Sequence, residues 1–243
     1  MISGSYILVL LGALFCTIAS GMVKKNFSKY SGYGTMSRMT GEQVARRILR
    51  DNGIDDVSVE FINGTLSDHY DPSKGKVCLS NGVYNSTSIA AVAVAAHECG
   101  HVLQHHTGYF PIKIRSLLVP LANIGSKVGL PMIVIGLALG GVYRAASYGY
   151  GTPSTIGSLL CTIGIWAYCL AVGFQIVTLP VEFNASRRAL RILEDTGILT
   201  SEELPAGDKM LRAAAMTYVA AAASSIFQLL RLLSIAGGGR RRD

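Results

Sequence analysis

Three long stretches with almost no charge dominate the hydrophobic pattern of the chain. Residues 5–23 and 155–181 carry no charge, and residues 117–142 are apolar apart from Lys127. Each stretch is long enough to cross a bilayer as a helix, which takes about 20 residues. The first has no basic leader and is followed by Lys24 and Lys25, so it is interpreted as a retained anchor rather than a secretory signal.

A fourth hydrophobic stretch, residues 210–235, contains Arg212, Gln228 and Arg231 around an alanine-rich centre. The alanines would let the helix pack tightly against other helices in the bilayer. The polar residues would equally suit a helix that lies in the membrane interface. Both alternatives stay open, so the sequence predicts three or four membrane helices.

Between the first two hydrophobic stretches the pattern changes to that of a small α+β unit. We expect a helix with a capping box over residues 40–52, a strand over 57–62, a polar loop over 67–72 and a strand over 76–80. A further helix is expected to begin near residues 86–88, to contain the apolar run at residues 89–96 and to continue to about His106. The strand at 76–80 is expected to offer an edge to which an extended peptide adds.

Composition and charge agree with a membrane protein, and the distribution of basic residues predicts its orientation in the membrane. Mean hydropathy is +0.38, only 15% of residues are charged, and the net charge is +7. Basic residues flank the predicted spans: Lys24, Lys25 and Lys29 after the first, Lys113 and Arg115 before the second, and Arg187, Arg188 and Arg191 after the third. The loop between the second and third spans carries only Arg144. The positive-inside rule therefore predicts that this loop and the N-terminus lie outside and that the α+β unit is cytoplasmic.

The same distribution argues against a nucleic-acid partner. The basic residues lie at the membrane ends, and no separate stripe of basic and aromatic residues accompanies them.

The strongest chemical signal is H-E-x-x-H at residues 97–101. On a helix, His97 and His101 share one face, so both imidazoles can bind one metal ion. Glu98 lies about 100° around the helix, where it can contact a metal-bound water without being a ligand. Chance matches to this motif occur, but two histidines and a glutamate beside an apolar run would be costly to bury without partners. Cys99 points away from the two histidines and is not counted as a ligand.

A zinc site of this kind needs a third protein ligand. The outstanding candidate is Glu182, which follows the third predicted span. Two membrane crossings separate it from His101, which returns it to the face on which the motif lies.

Three segments, in their order along the chain, resemble the YugP-type neutral zinc metallopeptidases. These are bacterial integral membrane proteins, more distantly similar to the HtpX-type membrane proteases. The segments are SDHYDP at residues 67–72, AAHECGHVLQ at 95–104 and LPVEFNASRR at 179–188. The resemblance runs from about residue 32 to the C-terminal helix. It implies a gluzincin-like Zn²⁺ site with His97, His101 and Glu182 as ligands and Glu98 as general base. The resembling families often carry an aspartate shortly after the ligand glutamate, where this chain has Asn184 and Ser186.

The SDHYDP segment allows two interpretations. Asp68, His69 and Tyr70 could line the substrate groove, with His69 or Tyr70 stabilising an oxyanion. The alternative is an Asp-Pro turn with a structural hydrogen bond. His105 continues the helical row from His101, but a fourth protein ligand would close the position that water needs, so we expect it to lie around the site or in solvent. His106 is expected at the surface.

These observations predict a mainly α integral membrane protein with three or four hydrophobic helices and a small zincin-like α+β catalytic unit. Four segments follow: an anchor (1–27), a catalytic region (28–116), two spans (117–181), and a third-ligand segment with a membrane or interfacial helix (182–243). The expected function is a zinc endopeptidase in the bacterial cell membrane, with its site facing the cytoplasm. Its partners would be the lipid bilayer and a peptide or protein substrate, and a site beside the membrane face would favour membrane-associated substrates. Two alternatives are a non-catalytic zinc-binding scaffold or sensor, and a transporter; the latter would need ionisable residues inside several spans, where only Lys127 occurs.

Overall fold

The computed structural model describes residues 4–139 and 155–237. Its elements in chain order are α1 (Gly4–Ser31), α2 (Gly41–Asp51), β1 (Ser58–Ile62), β2 (His69–Asp71), β3 (Lys76–Ser80), α3 (Ile89–His106), α4 (Phe110–Ala138), α5 (Thr155–Asp195) and α6 (Leu204–Gly237). The protein is mainly α-helical with one small sheet, as the sequence predicts. Residues 140–142 of the second predicted span and the loop with Arg144 lie outside the described residues.

Four of the described helices are long and apolar enough to cross a membrane. They are Tyr6–Ser31, Phe110–Ala138, Ile156–Asp195 and Leu204–Ile235. Of the two alternatives left open for the fourth hydrophobic stretch, its length and composition match a span. The helix of the third predicted span is longer than the sequence predicts. Helix α5 continues beyond residue 181 through the basic cluster that ends at Arg191, so Glu182 lies inside the helix rather than after it.

The chain divides into two compact units. The first, which we call the motif unit, comprises Ile18–Lys113 and Leu179–Tyr218. The second, the apolar unit, comprises the described parts of Met1–Thr17, Ile114–Thr178 and Val219–Asp243. In the apolar unit large side chains such as Leu117 and Trp166 are 70% exposed or more, which suits helices surrounded by lipid. The four-segment division of the sequence stays a prediction.

The core of the motif unit forms between α2, α3 and the sheet. Helix α2 begins with the predicted capping box, in which Thr40 and Gln43 each bind the other's backbone N–H, and it buries Val44 and Ile48. Helix α3 begins at the N-cap Ser88, and its alanines are fully buried, because small side chains let neighbouring elements pack against several of its faces. These contacts hold the motif helix rigidly within the core.

The sheet differs from the sequence-based prediction in two ways. Its strand order is β1-β3-β2, with β3 parallel to β1 and antiparallel to β2. The predicted loop at residues 67–72 therefore contains a short strand, in which His69 pairs with Cys78 and Asp71 with Lys76. The prediction of a free edge on β3 is wrong, because β3 is the central strand and both of its edges are paired.

Candidate metal centre and adjoining cavity

Helix α3 presents the two motif histidines side by side. The rings of His97 and His101 lie 4.8 Å apart between centroids and are nearly perpendicular, at 84°. This arrangement follows from the four-residue spacing, which places both residues on one helix face. Cys99 lies on another face: it is fully buried, and its thiol points to the carbonyl oxygen of Ala45 in α2 at 3.7 Å.

Gly100 lets α5 approach the motif closely. A Cβ atom at Gly100 would lie 2.7 Å from the carbonyl oxygen of Ala185, nearer than real Cβ atoms come to other atoms. Any larger residue would push α5 away from α3. The glycine between the two histidines therefore sets the distance at which the side chain of Glu182 meets them.

Glu182 reaches both imidazoles from α5. It is 1% exposed, and its Oε2 lies 3.3 Å from Nε2 of His97 and 3.5 Å from Nε2 of His101. One ligand atom from each of the three residues lies within 4.8 Å of the others, so the group could hold a metal ion. The structure thus brings together the three residues that the sequence singled out as metal ligands.

The distances from Glu182 to the two histidines fit a shared zinc ion. With metal–ligand distances of about 2.0–2.1 Å and tetrahedral geometry, two N or O ligands lie roughly 3.3–3.4 Å from each other. The two measured N···O distances fall at or just above this value. Charge-assisted hydrogen bonds between imidazole and carboxylate are shorter, at about 2.7–2.9 Å. Two imidazoles and one carboxylate are also a donor set that catalytic zinc sites use, so the residues present fit Zn²⁺.

Gln104 fixes the orientation and tautomer of His101. This glutamine is fully buried and donates from Nε2 to the carbonyl oxygen of Val181 at 2.7 Å and to Oδ1 of Asn184 at 3.0 Å. Its amide oxygen is therefore left to accept the hydrogen of His101 Nδ1 at 3.0 Å. Because the proton is on Nδ1, the lone pair of His101 is on Nε2, the atom that faces Glu182.

Ser186 has the corresponding position next to His97. Its hydroxyl lies 3.2 Å from Nδ1 of His97 and can accept that hydrogen, which leaves Nε2 for a metal. The acidic partner that the resembling families suggest is thus replaced by a neutral hydroxyl and, on His101, by a neutral amide. Sequence reasoning missed both roles, although Gln104 and Ser186 lie within the motif segments.

Glu98 follows His97 in α3 but is not one of the three converging ligand residues. It is 8% exposed, and burial raises the pKa of its carboxyl to about 7, with repulsion from Glu182 and Asp68 adding to the rise and His97 opposing it. A bound cation nearby would lower that pKa again. A cation would therefore favour the ionised carboxylate, which can accept a proton from water, the role that the sequence predicts for Glu98.

His97 and Glu98 open onto a cavity of about 300 Å³ within the motif unit. Its other walls come from α1, α6 and the segment before β2, and include Val23, Lys24, Leu66, Asp68, Met210 and Tyr218. The cavity is thus mostly apolar, with charged groups at its edge. The contributions of α1 and α6 were not foreseen, because nothing in the local sequence of a hydrophobic helix marks the residues that face a site.

The SDHYDP segment lies partly at this cavity. The Asp68 carboxylate lines it and also accepts hydrogen bonds from the backbone and hydroxyl of Ser80, at 2.7 and 3.0 Å, at the end of β3. Among the described residues the lining does not include His69 or Tyr70. His69 is exposed, with Nδ1 2.8 Å from the carbonyl oxygen of Ser67. The oxyanion role suggested for His69 or Tyr70 stays a prediction.

Tyr70 and the two remaining histidines of α3 have other partners. Tyr70 packs its ring edge-to-face on His105, with centroids 5.4 Å apart. His106 is exposed and lies 3.3 Å from a carboxylate oxygen of Asp56. Neither histidine belongs to the group of converging ligand atoms.

Comparison with known proteins gives a consistent result. The model of a family described as "Putative neutral zinc metallopeptidase" matches residues 5–237. The chain is 45% identical over 219 residues to "Putative membrane protease YugP" of Bacillus subtilis (strain 168), an alignment that covers 90% of each chain. No solved structure matches the chain at a significant level.

Proposed function

The chain belongs to this family of neutral zinc metallopeptidases, and from that premise we propose that it is a membrane-embedded, zinc-dependent endopeptidase. The observation that carries the proposal is the convergence of His97, His101 and Glu182 within 4.8 Å, next to a buried glutamate and a cavity. The alternative of a non-catalytic zinc protein gives no use for Glu98, which contacts the cavity but is not needed as a ligand.

The four central side chains divide into three metal ligands and one general base in the proposed reaction. His97, His101 and Glu182 would hold Zn²⁺, which would act as a Lewis acid that polarises the scissile carbonyl group and acidifies a water molecule. The Glu98 carboxylate accepts a proton from the attacking water and returns it to the leaving amine nitrogen. Gln104 and Ser186 keep the histidine Nε2 atoms directed at the metal position throughout.

The 300 Å³ cavity is the proposed entry for the substrate. Its walls come largely from α1 and α6, two helices with the length and composition of membrane spans. A peptide or protein that reaches the site along these helices would be membrane-associated or already unfolded near the membrane. If an extended substrate adds to the sheet, it would pair with β2, because β3 is central and β2 begins next to Asp68 at the cavity.

The bacterial cell membrane is the proposed location, with the site on the cytoplasmic side. The support for this orientation is the basic residues that flank the helices near the motif unit, such as Lys24, Lys113 and Arg191, since cytoplasmic flanks carry the excess of Lys and Arg.

The experiment that tests this function separates metal binding from proton transfer. The full chain would be purified in detergent as wild type, Glu98→Gln, Glu182→Gln and the matched surface control Glu202→Gln, which alters an exposed glutamate. Zinc per chain and hydrolysis of a denatured, fluorescently labelled protein would be measured for each. We expect about one zinc in wild type, the control and Glu98→Gln, and loss of zinc in Glu182→Gln.

Hydrolysis should be lost in both site variants, by roughly 10²- to 10⁴-fold for Glu98→Gln. Full activity of zinc-loaded Glu98→Gln would show that Glu98 is not the general base. Wild type that binds zinc but hydrolyses no protein substrate would favour the non-catalytic alternative.

A further inference from the structure

A second cavity in the motif unit is lined by three arginines. It has a volume of about 440 Å³, and its polar lining consists of Arg187, Arg188, Arg191, Asn52, Asn184 and Thr107. We call it the arginine cavity. Among the described residues, none lines both this cavity and the one next to Glu98, and none that lines the arginine cavity is acidic.

The three arginines of the cavity have no carboxylate partner in the part of the chain that the structure describes, because none of their guanidinium groups forms an ion pair there. Their recorded hydrogen bonds use Nε of Arg187, to the carbonyl oxygen of Phe183 at 3.3 Å, and Nε of Arg188, to Oδ1 of Asn184 at 2.8 Å. Each guanidinium group has five N–H donors, so most of them remain available to a ligand.

A membrane flank alone does not require this arrangement. Basic residues that only set topology need to lie near a span, in any local environment. Here the arginines face a recess whose other polar walls come from different elements, namely Asn52 at the end of α2 and Thr107 at the end of α3. Among the described hydrogen bonds, none of the three arginines donates to the carbonyl groups that end those two helices.

We propose that the arginine cavity binds a phosphate group. Three guanidinium groups with the side-chain amides of Asn52 and Asn184 offer more hydrogen bonds than the two oxygens of a carboxylate can accept, whereas a phosphate accepts through three or four oxygens. The phosphate group can belong to a soluble anion or to the headgroup of an anionic phospholipid. This binding does not depend on the proposed peptidase activity.

The arginine cavity is linked to the metal centre by one continuous set of hydrogen bonds. Oδ1 of Asn184 accepts from both Arg188 and Gln104, and the amide oxygen of Gln104 accepts from His101. A ligand that draws Arg188 towards itself would weaken the contact that holds Asn184 and Gln104 in place. Occupancy of the cavity is therefore expected to change the zinc site as well.

The test is direct binding, read from thermal unfolding rather than hydrolysis. Full-length wild type in detergent would be titrated with inorganic phosphate, with chloride at equal ionic strength as reference. The variant Arg187→Gln/Arg191→Gln changes two exposed arginines of the cavity and leaves the partner of Asn184 intact. The matched control Lys74→Gln/Arg212→Gln removes the same charge from two side chains that are 70% and 77% exposed and do not line the cavity.

We expect phosphate to raise the unfolding temperature of wild type and control saturably, and the cavity variant to need at least tenfold more phosphate for the same shift. In nanodiscs, stabilisation by phosphatidylglycerol over phosphatidylcholine, lost in the cavity variant, would identify a lipid headgroup as the source. A response to phosphate without this lipid effect would identify a soluble anion. Equal responses from all three proteins, or no saturable response in wild type, would overturn the proposal.

Discussion

In each unit, a glycine of a neighbouring helix packs closely against α5: Gly100 of α3 in the motif unit and Gly129 of α4 in the apolar unit. In the motif unit, a Cβ at Gly100 would lie 2.7 Å from the carbonyl oxygen of Ala185. In the apolar unit, a Cβ at Gly129 would lie 3.0 Å from the carbonyl oxygen of Gly164 and 3.2 Å from the backbone nitrogen of Tyr168. In both places the missing side chain lets two helices approach until their backbones touch.

The consequences of the two contacts differ because their surroundings differ. Around Gly129 the neighbouring helices carry apolar side chains, and close approach increases packing without bringing reactive groups together. Around Gly100 the same approach brings a carboxylate of α5 within reach of two imidazoles of α3. One packing feature therefore contributes stability in one unit and the metal geometry in the other.

Among the substitutions that test this comparison, Gly100→Ala should have the largest effect. The added methyl group should push Ala185 and the preceding turn of α5 away by several tenths of an ångström, and Glu182 would move with them. Since misplacement of a catalytic group by about 1 Å can lower a rate roughly 100-fold, we expect a loss of protein hydrolysis approaching that size and weaker zinc binding. Hydrolysis and zinc content would be measured together.

The control for this substitution is Gly173→Ala, a helical glycine of α5 with no atom within 4 Å of the added Cβ. It should leave zinc content and hydrolysis unchanged. Normal activity of Gly100→Ala would show that the close contact does not set the position of Glu182.

Gln104→Leu should have an intermediate effect. It keeps a buried side chain of similar size but removes the acceptor for His101 Nδ1 and the donor to Val181 and Asn184. Loss of a partner that orients a metal-binding histidine lowers metal affinity by about 10- to 100-fold, and we expect a value at the lower end because Ser186 still orients His97. Competition with a chelator would measure the zinc affinity.

A second substitution, Gln104→Glu, separates the effect of orienting His101 from the effect of the packing around residue 104. Its carboxylate can still accept from His101 but cannot donate to Val181, so it should bind zinc more tightly than Gln104→Leu. Equal affinity of both variants and wild type would mean that the histidine needs no partner on Nδ1.

The smallest effect on the site is expected from Gly129→Ala. Overpacking against Gly164 and Tyr168 should lower the free energy of unfolding by about 1–3 kcal/mol, with hydrolysis per folded molecule within twofold of wild type. Unfolding in detergent and zinc content would be compared with Gly173→Ala. A clear loss of zinc from Gly129→Ala would remove the distinction between the two glycine contacts.

Local patterns predicted the elements that depend on local physics. The capping box at Thr40 and Gln43, the strand at residues 76–80 and the motif helix ending at His106 all appear where the sequence places them. Each depends on side-chain spacing or a cap within a few residues. Glu182 could be selected from a distance because an even number of crossings and a recognisable segment limited the choice.

Long-range contacts account for what the sequence did not reveal. Strand β2 has three residues, too few to show a period, and exists because His69 and Asp71 pair with β3. The central position of β3 depends on the same pairing. Gln104 acquires its role from Val181 and Asn184, which lie 77 and 80 residues further along the chain, and no local pattern marks such a contact.

The third ligand and the closest contact between α5 and the motif helix lie within one turn of α5. Glu182 precedes Ala185, which packs against Gly100, by three residues of continuous helix. A shift of one residue along an α-helix moves a side chain by 1.5 Å and turns it by about 100°. A single insertion or deletion between Glu182 and Ala185 would thus turn the carboxylate off the face that meets the histidines, so the spacing of these two residues is as strictly constrained as the identity of the ligand.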